Sequence, residues 1–317
     1  MDLYQLETFL AVAQEKSFSR AAQRLHRTQS AISQTISRLE EELGETLFDR
    51  SSRDGTLTDA GHLLVEYSEE LLNLRSEAHD ALAELRQLHQ GKLVIAANEF
   101  TVLCLLPVLN EFHRLHPTIK IQVQRTLASQ IQRLVVNHNV EFGILSFKPD
   151  DEQLSSMVFY RDQLVFVVYP SHPLANAKNV SIRDLGAESF VAHNVVSPYR
   201  VKVIEAFKES KTALNMNVEL PTLESIKEFV RMGSGLAMVP RITVEDDLRR
   251  GDLVEVPINE LRLERQMRIV SREGAPMSHA GRAFLKVCES AAAAPNTRYL
   301  FQHERKVRRS STRTAPA

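Results

Sequence analysis

Between Thr28 and Gly44 (TQSAISQTISRLEEELG) apolar residues recur at Ala31, Ile32, Ile36, Leu39 and Leu43, the spacing of one helical face. Thr28 is placed to cap that helix, and Gln29, Ser30, Ser33, Gln34, Ser37 and Arg38 fall mostly off the apolar side. The pattern predicts a helix that packs with one side and offers hydrogen-bonding groups with the other. Glu40, Glu41 and Glu42 lie at its far end, so the positive end of the helix dipole and neutral polar side chains come first. Upstream, Leu3, Leu6, Leu10 and Ala13 stripe a first helix over 3–14, and Phe18 to Leu25 reads as a short second one. His26, Arg27 and Thr28 make the connection expected of a helix-turn-helix, although it lacks the glycine often found there. An ordinary helical hairpin in a core has the same spacing.

After Gly44, Thr46 to Phe48 and Thr56 to Leu57 read as two short strands with Asp54-Gly55 as the turn, a wing. Arg50 and Arg53 lie on or beside it, within reach of phosphates or a minor groove; Arg50 pairs equally well with Asp49 or a nearby glutamate. Thr58 caps a proline-free segment running to about His89. In it Leu64, Tyr67, Leu71, Leu74, Ala78, Ala81, Leu85 and Leu88 repeat at three- and four-residue steps, the seam of a two-helix coiled coil. Such a helix is roughly 45 Å long, more than its own small head domain can bury, and the unbroken stripe favours a second copy of the chain over packing on its own C-terminal part.

Beyond Gly91 the pattern changes to α/β. Leu93 to Ala97, Ile119 to Val123 and Phe142 to Leu145 are short apolar runs alternating with helical segments, the signature of parallel βαβ units. A second set follows at Leu164 to Tyr169, Ser189 to Ala192, Asn217 to Leu220, Leu236 to Val239 and Leu253 to Val256. Arg268 to Ser271 and a helix near His279 to Ala292 return to the first set. Clefts in such folds lie at strand carboxyl ends, where helix amino termini point free N–H groups. Thr101, Ser129, Ser197 and Thr222, with Asn98 and Ser146 behind them, are the candidate pocket residues; each hydroxyl serves equally as a helix cap. Arg125 and Arg200 suit an anion and Glu99 opposes one, which leaves the sign of the ligand's charge open. Gly233 and Gly235 are turn residues.

The 317 residues carry a net charge of −1, yet between Glu15 and Glu40 there is no acid, whereas Lys16, Arg20, Arg24, Arg27 and Arg38 are basic. Phosphate contacts depend on where charges sit, so a nucleic-acid partner fits despite the near-neutral total. No secretory pattern or membrane-spanning run is visible, and a cytosolic location is expected. Cys104 and Cys288 read as buried thiols, with a redox pair as the alternative. Nothing calls for a cofactor or metal: G-x-S-x-G, the P-loop and H-E-x-x-H are absent, and the histidines form no metal-spaced cluster, so no enzyme is expected. After Ala294 the basic run of Arg305, Lys306, Arg308, Arg309 and Arg313 reads as a disordered tail, with weak DNA contact as an addition.

Ala21, Ala22, Leu25, Thr28, Gln29, Ser30, Ala31, Ile32, Ser33, Ile36, Leu39, Glu40, Leu43, Gly44, Leu47, Phe48, Arg50, Leu57, Thr58, Ala60 and Gly61 stand in the order and spacing of the LysR-type transcriptional regulators. The chain resembles that family from its first helix to about residue 290. The resemblance implies a winged helix-turn-helix over 1–58, a coiled-coil dimerisation helix over 59–89, and a two-lobed effector domain similar to periplasmic solute-binding proteins. Its first subdomain would span 92–162 and 266–294, its second 163–265, and 295–317 would be the disordered tail. It also implies double-stranded DNA with a partly palindromic operator as partner, contacted by Gln29, Ser30, Ser33, Gln34 and Arg53. A small-molecule effector, homodimers that pair into tetramers, and RNA polymerase are further expected partners. Position 34 is often basic in relatives; glutamine there removes a charge and suits adenine. A regulator without effector, or one responding to oxidants through Cys104 and Cys288, are the alternatives.

Overall fold

The computed structural model describes residues 1–49, 55–86, 91–195 and 197–304. Helices α1 (Leu3–Glu15), α2 (Phe18–Arg24) and α3 (Gln29–Leu43) close around Phe9, Val12, Ala21, Ile32 and Leu39, all fully buried. Each begins at the residue chemistry favours: Asp2 and Gln5 form a capping box, Ser17 accepts from the Arg20 amide, and Thr28 accepts from the Ala31 amide at 3.2 Å. Two expected core positions face outward instead. Leu3 and Leu43 are each 38% exposed, because Phe9 and Val12 fill the space between the helices. The missing glycine of the α2–α3 connection is replaced by His26, whose φ of +53° supplies the left-handed turn.

Phe48 bridges Leu57 antiparallel, and the Glu40 carboxylate accepts from the Leu47 amide at 2.7 Å, tying this bridge to the end of α3. Asp54, Arg50 and Arg53, expected on the wing, lie outside the described residues. Thr58 caps α4 (Asp59–Arg86) by accepting from the Gly61 amide at 3.0 Å. Gly61 has to be small: a Cβ there would sit 2.2 Å from the Leu47 carbonyl oxygen. Along α4, Val65, Leu72 and also Leu64, expected on the dimer seam, pack on the head. Tyr67, Leu71 and Leu74 stay exposed, as does Ala78. Residues 87 to 89 of the expected helix, with Leu88 of the expected seam, lie outside the described residues. The polar side of α4 docks on its own chain, a contact separate from the expected seam. Asn73 Nδ2 donates to the Asn137 carbonyl at 2.8 Å, and Glu77 accepts from Arg272 Nη2 at 2.6 Å and meets His138.

Beyond Gly91, β1 (Lys92–Ala97), α5 (Leu106–Leu115), β2 (Lys120–Arg125), α6 (Ala128–Val136) and β3 (Phe142–Leu145) build lobe I, with β1 parallel to β2 and β3. Strand β4 (Leu154–Val168) crosses into lobe II. There follow β5 (Ser189–His193), α7 (Pro198–Glu209), β6 (Asn215–Leu220), α8 (Leu223–Arg231), β7 (Leu236–Pro240), α9 (Glu245–Arg250) and β8 (Val254–Val256). Strand β9 (Leu263–Arg272) returns antiparallel to β4, pairing Leu164 with Leu263 and Leu154 with Arg272. The helix α10 (His279–Ala292) then packs on lobe I.

The two lobes share one sheet in the order β2-β1-β3-β9-β4-β7-β5-β6, so both crossings are neighbouring, hydrogen-bonded strands. Lobe I closes on Leu93, Phe112, Phe142 and Phe284. In lobe II, Phe166 and Phe190 face one side of the sheet and Val165 and Val191 the other, the alternation expected of strands buried on both faces.

The expectation of disorder from residue 295 fails for its first part. Strand β10 (Tyr299–His303) pairs with β4, Tyr299 and Phe301 pack on the lobe I core, and the Tyr299 hydroxyl donates to the Cys104 carbonyl at 2.9 Å. Glu304 accepts from Arg268 Nε at 2.9 Å and from Ser156 at 2.6 Å. Apolar residues at 299 and 301 make the short run a strand that covers an edge. The basic residues from Arg305 onward lie outside the described residues. Among the described residues, no helix is long and apolar enough to cross a membrane.

Candidate nucleic-acid interface and interlobe cavity

On α3 the buried residues are Ile32, Ile36 and Leu39; Gln29, Ser30, Ser33, Gln34 and Arg38 are exposed and Ser37 is half-buried at the margin. The capped amino end of the helix and its polar face open on the same side as the α2–α3 turn. Around it, Arg20 and Arg24 both pair with Glu15, at 3.8 and 3.3 Å. Arg27 and Arg38 are exposed without an ion pair among the described residues. This leaves two cations beside a row of neutral donors and acceptors, the combination that suits phosphates flanking base edges.

A second feature lies between the lobes: a cavity of about 540 Å³. Asn98, Ser146 and Ser197 line it, as do Glu99, Arg125 and Arg200. The other three candidates do not reach its wall. Thr101 is fully buried and its hydroxyl accepts from the Asn98 amide at 3.1 Å. Thr222 caps α8, accepting from the Ser225 amide at 3.2 Å, and Ser129 is exposed on α6 away from the cavity. For Thr222 the reason is local: a hydroxyl at a helix start turns back onto the helix's own amides. Ser197 does so too, accepting from the Arg200 amide at 3.2 Å, but stays on the wall.

The charged groups of the cavity are mostly committed. Glu99 of lobe I accepts from Arg125 at 3.3 Å and from the Leu223 amide of lobe II at 2.8 Å. Arg200 pairs with Glu219 and donates to the His193 carbonyl at 3.1 Å. The Tyr199 hydroxyl of lobe II donates to the Ser146 carbonyl of lobe I at 3.0 Å, a second clasp across the cleft. Burial holds His193 below its ordinary value, against the pull of Glu99.

Sequence reasoning missed Tyr199, His193 and Arg265 on this wall. The signal for Arg265 was present: Leu263, Arg265, Met267 and Ile269 alternate on the inward side of β9, and an arginine at a core-facing position has a reason to be there. The thiols offer little to oxidants. Cys104 and Cys288 are 2% and 1% exposed, and burial pushes both thiols up, Cys288 to about 12, which withholds the reactive thiolate.

Comparison with known proteins agrees with both features. Residues 3–62 match the bacterial regulatory helix-turn-helix protein, lysR family, and residues 86–293 match the LysR substrate binding domain. A probable RuBisCO transcriptional regulator of Synechocystis is 31% identical over 90% of this chain and 84% of its own length. Full-length CbnR, a LysR family transcriptional regulator, shares the fold with a TM-score of 0.70 at 20% identity, over 92% of this chain and 99% of its own. The regulatory domain of Synechocystis CcmR, solved in complex with 2-PG, aligns with a TM-score of 0.58 at 25% identity, over 63% of this chain and 97% of its own. Matches that join the reading head to the two-lobed domain in one chain show that the protein belongs to the LysR family and is a DNA-binding transcriptional regulator with an effector-binding domain.

Proposed function

We propose that two copies of α3 read the half-sites of a partly palindromic operator, set apart by paired α4 helices, and that a small molecule in the interlobe cavity alters their arrangement. The observation that carries the reading is the exposure of Gln29, Ser30, Ser33, Gln34 and Arg38 together, with Ile32, Ile36 and Leu39 buried behind them. Ser33 and Gln34 supply base contacts, with Gln29, Ser30 and Ser37 around them. Arg27 and Arg38 supply phosphate contacts, and Arg50 and Arg53 add to these from the wing. The exposed stripe of Tyr67, Leu71 and Leu74 supports the dimer, and dimers pair into tetramers as relatives commonly do.

Asn98, Ser146 and Ser197 are the polar effector contacts. The effector acts to the extent that it binds one lobe arrangement better than another. Output passes to RNA polymerase at the promoter, and the protein works where the DNA is, in the cytoplasm. The Synechocystis relative's name makes RuBisCO genes the first target to try, and the complex of CcmR with 2-PG supports a small molecule as the effector.

Gel shifts on genomic fragments test the DNA reading. Arg38→Ala should weaken binding to many sequences alike and reduce the salt slope by about one, whereas Ser33→Ala should change discrimination among operators. Identical behaviour of the two variants would remove the assignment.

A further inference from the structure

Of the arginines on the cavity wall, Arg125 and Arg200 have carboxylate partners, Glu99 and Glu219. Arg265 is different. It is 5% exposed, its Nε has no hydrogen-bond partner, and its Nη2 meets only the Met267 sulfur, at 3.7 Å. The carboxylate opposite it, Asp162 on β4, stands 4.0 Å from Nη1 and has an unpartnered oxygen of its own. The guanidinium carbon lies 5.5 Å from the centre of the Tyr199 ring. A guanidinium carries five donors, and a buried one left largely unmet is costly unless something arrives to meet it. Beside Arg265 the wall turns apolar, through Leu164, Phe166, Phe190, Val203, Met216 and Met238.

We infer that the cavity takes an amphipathic monocarboxylate, its head bound by Arg265 beside Tyr199 and its apolar body lying against Phe166, Phe190 and Met238. This rests on the interlobe cavity being the effector site. The planar guanidinium fork matches a carboxylate two-to-two. A carboxylate brings a single negative charge near Asp162, whereas a phosphate would bring two into a setting with little water to screen them. Polyhydroxylated molecules would leave their own hydroxyls unmet on the apolar wall. Burial pushes the Asp162 carboxyl up and lowers Arg265, as befits a pair that compensates poorly.

Calorimetric titration of the full-length protein tests this with butanoate, hexanoate and 3-phenylpropanoate, the matching amides, and glycerol 3-phosphate. Each acid is expected to bind at least about tenfold more tightly than its amide, and hexanoate about tenfold more tightly than butanoate. Arg265→Met leaves Asp162 without a counter-charge, so the double variant Asp162→Asn with Arg265→Met is the folded control. It should bind acid and amide alike, which a purely structural Arg265 would not produce.

Equal affinity of acid and amide for the unaltered protein, or tighter binding of glycerol 3-phosphate than of any carboxylate, would overturn the inference and leave the cavity as the effector site. Absence of binding by every carboxylate overturns it as well. If a broad metabolite panel also fails to raise the melting temperature, the effector-site reading falls with it.

Discussion

Removing the Glu99 carboxylate asks how firmly one lobe holds the other. Glu99 follows β1 in lobe I, yet it accepts at 2.8 Å from the amide of Leu223, the first residue of α8 in lobe II. Thr222 already serves the Ser225 amide, so Glu99 is a second cap for the same helix, delivered across the cleft. Glu99→Ala leaves a buried amide without its acceptor, and Leu223 is only 6% exposed. A hydrogen bond to a charged group contributes about 1.5–3 kcal/mol. The Glu99 side chain is 26% exposed, which argues for the lower end, about 1.5 kcal/mol. In a domain of this size each kcal/mol moves the melting temperature by about 2–4 °C, so the alanine variant should melt about 3–6 °C lower by scanning calorimetry. Glu99→Gln keeps an oxygen but no charge and should recover about half of the loss. A melting temperature within about 1 °C of the unaltered protein for Glu99→Ala would mean that water replaces the carboxylate freely, and would refute the interlobe cap.

Three further outcomes are expected. Leu71→Glu places a charge on the stripe where Leu71 is 41% and Tyr67 57% exposed; sedimentation at micromolar concentration should show monomers with unchanged circular dichroism, and an intact dimer would move the interface elsewhere. Gly61→Ala drives a methyl into the Leu47 carbonyl and should destabilise the head by about 1–3 kcal/mol in urea unfolding, with weaker operator binding; a neutral result would mean that the bridge at Phe48 and Leu57 shifts without penalty. Burial holds His193 below 6.5, outweighing Glu99 while Arg125 acts in the same direction as burial, so the folded chain binds fewer protons than the unfolded one just below pH 6.5. Stability from this group is therefore complete above pH 6.5 and is lost on acidification toward the folded value. His193→Gln should flatten that part of the melting-temperature profile, and superimposable profiles would refute the assignment.

The head was legible because its signals are short-range: the cap at Thr28 and a period of 3.6 place α1, α2 and α3 within a residue or two. His26 was not, since nothing in the pattern marks a non-glycine residue for a left-handed turn. Strand β4 was read from Leu164, ten residues late, because Ser155, Ser156 and Arg161 to Gln163 interrupt its apolar run; those positions pair with β9 across the crossing, a contact distant in sequence. Pocket residues were the least legible. Hydroxyls at helix starts announce themselves by type, but only the packing of two lobes decides which face a shared space, and it selects Ser146 and Ser197 over Thr101 and Thr222. The late strand at Tyr299 was obscured by its basic neighbours, which dominate composition without deciding where an aromatic pair docks.

Strand β9 carries Arg265 on the cavity wall and, seven residues on, Arg272 on Glu77 of α4. The two sites are roughly 23 Å apart along one extended backbone. Strand β9 pairs with β4 over this whole length and with β3 at Arg268, Ile269 and Val270. On the proposed function, this single strand is the shortest covalent route from the effector's head group to the strut that carries the reading head.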